Sequence, residues 1–107
     1  IMEAKRESES RGELFALRVD MYFVFRVDRL IANRLDSKKL DRDNRIKPAT
    51  DAISKLLLID DKYFYAGFSE KVTTENKENE CTIIQITQTS PRTLQDVMDQ
   101  MKKSLAI

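Results

Sequence analysis

From Leu14 to Val27 the chain alternates residue by residue. Phe15, Leu17, Val19, Met21, Phe23, Phe25 and Val27 fall on one side, Arg18, Asp20, Tyr22 and Arg26 on the other. A period of two predicts a strand with one face turned to a core. The run exceeds an ordinary strand, so it either bends or lies centrally in its sheet.

The other elements are read around that strand. Ile1 to Arg11 is polar and reads as the tail of a helix, with Gly12 as its stop. Asp28 to Leu40 scatters Leu30, Ile31 and Leu35 among charges and is expected to be a loop with room for one helical turn. Ile46, Ala49, Ile53, Leu56 and Leu57 recur at helical spacing, predicting a helix over Asn44 to Leu57, and Pro48 argues for a late start. Tyr63 to Val72 and Cys81 to Thr87 are β-rich and separated by a polar stretch, which predicts an antiparallel hairpin. Cys81 is expected to be a small buried hydrophobe. Ser90 and Pro91 have the chemistry of a helix start, before a stripe of Leu94, Val97, Met98, Met101 and Leu105 that should pack on the sheet or on a partner subunit. The fold class is α+β, a mixed β-sheet of at least three strands flanked by helices.

At 107 residues the chain is expected to form one domain over 1–107. A single cysteine rules out an internal disulfide, and no long apolar run offers a membrane span, so a cytoplasmic setting without membrane contact is expected. The net charge is +1, too little to attract nucleic acid as a whole. Locally the balance differs. Arg26, Arg29, Arg34, Lys38, Lys39, Arg42, Arg45 and Lys47 face only Asp28, Asp36, Asp41 and Asp43. Lys38, Lys39, Arg42 and Arg45 are the candidate phosphate contacts on DNA. There is no histidine, so the commonest general base near neutrality is missing and any hydrolysis needs a metal-activated water.

The chemistry concentrates between Leu40 and Asp61. Asp41 and Asp43, two apart, project to one side of an extended segment, as a shared divalent cation requires. Asp43, Lys47 and Asp51 follow at i, i+4 and i+8 on the predicted helix, and Asp60 and Asp61 close the stretch. Taken singly these residues have plainer readings. One acid of a D-x-D caps a helix, Lys47 is a solvated helix lysine, Asp51 pairs with Lys47 or Lys55, and Asn44 is as good a cap as a site residue.

Taken together, D-x-D-N-x-x-K-P-x-x-D-A-I from Asp41 to Ile53, with Asp60 and Asp61 ahead of an aromatic-rich strand, resembles the RusA-type Holliday junction resolvases. The likeness covers roughly 19–86. It implies a homodimeric, Mg²⁺-dependent endonuclease that resolves four-way DNA junctions in recombination and repair. On the matching positions it makes Asp41, Asp43 and Asp61 the metal ligands, with Lys47 beside the scissile phosphate as the fourth catalytic residue. The chain departs from the family in lacking the N-terminal strand and Pro/Asn-bearing loop that usually open it. That departure motivates an alternative, a catalytically silent protein of the same fold that binds or assembles on DNA junctions. Tyr63, Phe64, Tyr65 and Phe68 can stack on unpaired bases, although core packing accounts better for at least half of them.

One geometric difficulty follows. A helix over Asn44 to Leu57 is about 20 Å long, and the residues from Leu58 to Asp60 span at most about 14 Å. Either the helix starts late and is short, or Asp61 completes the site of the other subunit.

Overall fold

The computed structural model describes residues 1–36 and 42–105, with backbone alone for 32–36 and Asp43. Its order is α1 (Met2–Ser10), β1 (Ala16–Arg26), α2 (Val27–Asp36), α3 (Arg42–Leu57), a 3-10 turn at Asp61–Tyr63, β2 (Phe64–Ala66), β3 (Ser69–Thr74), a second such turn at Lys77–Asn79, β4 (Cys81–Thr89) and α4 (Leu94–Leu105). The architecture is α+β, with a mixed four-stranded sheet and four helices. The segment entering β1 is released from α1 at Gly12, where φ is +70°, a value that favours glycine just past a helix.

The long alternating strand lies at the centre of the sheet. One edge of β1 pairs in parallel with β2 at Leu17 and Arg18 and with β3 from Met21 to Arg26. Its other edge pairs antiparallel with β4 from Ala16 to Val24. The expected hairpin between the last two β-rich runs therefore does not form, because β1 stands between them. The physical reason is at the end of β1. The connection from β3 to β4 crosses that end, and the Glu80 carboxylate accepts the Arg26 backbone N–H at 3.0 Å and an Arg29 guanidinium N–H at 2.8 Å. Those contacts hold β3 and β4 on opposite sides of the strand.

The odd-numbered face of β1 builds the core. Val19, Met21, Phe23 and Phe25 are buried with Ile53 of α3, and Leu30, Ile46, Ala49 and Leu57 pack against them. Phe15 and Leu17 form a second cluster with Ile59, joined by Ala4 of α1 and by Tyr63. Gln88 of β4 donates to the buried Ser8 hydroxyl at 3.1 Å, tying α1 to the same face. The other face carries Arg18, Asp20 and Tyr22, with Gln85 opposite Asp20, Ile83 opposite Tyr22 and Cys81 opposite Val24.

Several local expectations are corrected. The stretch from Asp28 is not a loop, since α2 runs ten residues from Val27 to Asp36. Leu30 reaches the core, and Val27, Leu30 and Ile31 do share a helical stripe, obscured by the intervening charges. Helix α3 does not start late; it begins at Arg42 and carries Pro48 inside. Burial of Ile46, Ala49 and Ile53 outweighs the one hydrogen bond that proline removes. Asn44 is accordingly a helical residue rather than a cap. Helix α4 starts at Leu94, not at Pro91. Thr93 Oγ1 accepts the Asp96 N–H at 3.1 Å while the Asp96 carboxylate accepts the Thr93 N–H at 3.0 Å, a reciprocal capping box that outcompetes Ser90. Cys81 is exposed, because β4 is an edge strand.

Glu80 makes the stability of this arrangement pH-dependent. The Arg26 N–H first, then the Arg29 guanidinium, hold its carboxyl below the ordinary value of 4.5. A depressed carboxylate contributes stability above its unfolded value, and that contribution is lost as pH falls from about 4.5 through the folded value. Glu80→Gln is therefore expected to lower the melting temperature near neutrality. Its deficit relative to the parent should shrink as pH falls below about 4.5. A deficit independent of pH in thermal melts would contradict this account.

Candidate functional site

The site is organised by a break in the parallel edge. β2 and β3 lie along the same edge of β1, interrupted at Gly67 and Phe68. A Cβ at Gly67 would lie 1.9 Å from the Val19 carbonyl oxygen, and φ there is +142°. Only glycine lets the backbone approach this closely. Across the gap the Phe68 carbonyl accepts the Met21 N–H at 2.9 Å. The Phe68 N–H donates to the carboxylate of Asp20 at 3.1 Å. Asp20 is 6% exposed and takes a second hydrogen bond, at 3.0 Å, from Arg18. A buried acid with these partners replaces the strand pairing missing at the break. The sequence placed Asp20 simply on the polar face, and its role was visible only once the break was.

The break leaves an open pocket of about 340 Å³ between β1, α3 and the segment from Asp61 to Ser69. Val19 and Met21 form its floor, Ile46 and Thr50 of α3 one wall, and Asp61 with Phe64 to Ser69 the rest. Asp61 reaches it because the chain reverses after α3. Leu58 adopts φ of +54° and the Ile59 N–H returns to the Ser54 carbonyl at 3.1 Å. Asp60 then caps the following turn, accepting the Lys62 N–H at 3.0 Å.

Electrostatics mark Asp61 within this group. A hydrogen bond from its carboxyl to that of Asp60 raises its pKa, with the charges of Asp60 and Asp51 adding to the shift. Asp60 is lowered, first by the Lys62 N–H and then by Asp61. Asp60, Asp61 and Asp51 thus gather carboxylates at this end of the pocket. A carboxylate lining an open pocket beside further acids is a donor that suits a divalent ion.

Of the proposed catalytic residues, Asp41 lies outside the described residues, as do Lys38 and Lys39, and the side chain of Asp43 likewise. Among the described residues no group of three or more acidic, histidine or cysteine side chains stands ready to hold a metal. The backbone of α3 supplies the remaining geometry. Asp43 comes one turn before Ile46 and two turns before Thr50, and both of those line the Asp61 pocket. Lys47 is exposed on the same helix. Arg42 reaches the pocket rim, with a guanidinium N–H 3.5 Å from the Ser69 carbonyl. Arg45 instead lies over the Phe25 ring at 4.6 Å, half-buried.

The aromatic group divides. Tyr63 and Phe64 pack against the core clusters, while Tyr65 and Phe68 are 49% and 44% exposed. Phe68 meets Tyr22 edge to face at 5.5 Å, and Arg18 sits 5.6 Å from its centroid. Two features the sequence reading passed over are Gly67 and the closeness of Asp51 to Asp61. The first had a signal, since an isolated glycine within a β-rich run marks a bulge or a close backbone approach.

No described helix is long and apolar enough to cross a membrane. No family model, curated protein or solved structure matches the chain.

Proposed function

We propose that this chain is a RusA-like, Mg²⁺-dependent endonuclease of the cytoplasm that works as a homodimer and cuts four-way DNA junctions during recombination and repair. One observation carries the reading. Asp61, raised in pKa by its acidic neighbours, lines a pocket whose wall is the stretch of α3 directly following Asp41-x-Asp43. That wall, reached by the backbone of the motif, supports the reading.

Asp41, Asp43 and Asp61 would hold the metal. A bound Mg²⁺ would supply a water of lowered pKa and neutralise charge on the phosphate oxygens. Lys47, exposed a turn beyond Asp43, is placed to add positive charge to the transition state. Arg42 at the rim and the exposed ring of Phe68 suit a phosphate and an unstacked base respectively. A two-fold dimer presents two equivalent sites, as paired cuts across a junction require.

The test is cleavage of a labelled four-way junction against a linear duplex, with Mg²⁺ or EDTA, by the parent and by Asp43→Asn. Symmetric, metal-dependent cuts in the junction by the parent alone are expected. Tight junction binding without cutting would replace this reading with the silent binder, and equal cutting of both substrates would replace it with a general nuclease.

A further inference from the structure

Helix α4 is amphipathic but has no buried residue. Leu94, Val97, Met98, Met101 and Leu105 are all exposed, between 38% and 83%. The expectation that this stripe packs on the sheet of its own chain is therefore not met. β4, just before it in the chain, is equally open. Among the described residues it pairs only with β1, and Ile83 and Ile84, on opposite faces, are 51% and 37% exposed. An open edge strand followed in the chain by an uncovered amphipathic helix is not a stable outer surface.

The size of the exposed surface indicates what covers it. The chain exposes 8225 Å², where a compact monomer of 12.5 kDa exposes roughly 6,200 Å². Its radius of gyration is 17.3 Å, against roughly 13 Å for a compact chain of this length. The excess, about 2,000 Å², is in the range that one subunit of an obligate homodimer buries, about 1,000 to 2,500 Å². The patch also suits a copy of itself. Its helical stripe carries no charge, so self-contact sets no like charges together, and two-fold related copies of β4 run antiparallel with their free edges matched.

We propose that α4 and the outer side of β4 form the two-fold interface between two copies of this chain. The proposal rests on the two-fold assembly of the nuclease reading and assigns it a surface. It also leaves the Asp61 pocket open, since none of the pocket's residues belongs to α4 or β4.

Sedimentation equilibrium on the full chain at roughly 10 µM, without DNA or metal, tests it. The parent is expected at twice 12.5 kDa. Met98→Glu, and independently Met101→Lys, should sediment at the monomer mass with dimer affinity reduced at least tenfold. Each should keep the parent's far-UV circular dichroism, because neither side chain is in the core. Lys103→Glu, on the opposite side of α4, should remain dimeric. A monomeric parent would overturn the proposal, as would dimers unaffected by both substitutions. The two readings fail separately. A dimeric parent that cuts no junction removes the nuclease and keeps the interface, whereas a monomeric parent that cuts junctions removes the interface and the two-fold assembly and keeps the cleavage chemistry.

Discussion

Gly67→Ala is expected to destabilise the fold by about 3 kcal/mol or more, lowering the melting temperature on the order of 15 °C. The added Cβ meets the backbone of Val19, with its carbonyl oxygen 1.9 Å and its carbonyl carbon 2.7 Å away. A flexible side chain can swing aside; the central strand of the sheet cannot. Relief requires the segment to lift from β1, and lifting breaks both the Met21 to Phe68 bond and the Phe68 to Asp20 bond. Gly12→Ala is the natural comparison. Nothing lies within 4 Å of a Cβ there and only the positive φ opposes it, so its cost should be about 1 kcal/mol. Thermal melts of the two variants side by side separate close approach from backbone conformation. Equal losses would refute the account of the break.

Asp61→Asn is expected to reduce metal-dependent junction cleavage on the order of 10³-fold while leaving the fold intact, since Asp61 is exposed. Its placement also bears on how the site is assembled. α3 spans sixteen residues, about 24 Å, longer than the helix the sequence predicts over Asn44 to Leu57. The reversal at Leu58 returns the chain alongside α3, and the pocket joins Asp61 to Ile46, one turn from Asp43. The helix need not be short, and Asp61 need not cross to the partner. Each subunit is expected to supply its own acids. Mixing Asp41→Asn protein with Asp61→Asn protein should then restore no cleavage, because both sites of a mixed dimer lack one acid. Recovery of activity after proven subunit exchange would mean that Asp61 acts across the two-fold.

The legible features were those that depend on local order. Alternation at Phe15, Leu17, Val19, Met21, Phe23 and Phe25 marked the core strand, and Ile46, Ala49 and Ile53 marked the core face of α3. The stop at Gly12 followed from the same short-range rules. The acid motif is a matter of spacing along the sequence from Asp41 to Asp61.

What alternation does not contain is the partner of each edge. A strand's side chains show which face is buried, whereas its N–H and C=O groups are alike at every residue and pair with whatever strand the connections deliver. Only the tertiary structure decided that β3 and β4 flank β1, that Glu80 pins the crossing between them, and that Gly67 and Asp20 open a pocket for Asp61. The stripe of α4 was likewise plain in the sequence, but that its own chain leaves it uncovered depends on where the preceding strand ends in space. Periodicity is a property of neighbours along the chain; contact between segments, and the chemistry it assembles, is a property of the folded whole.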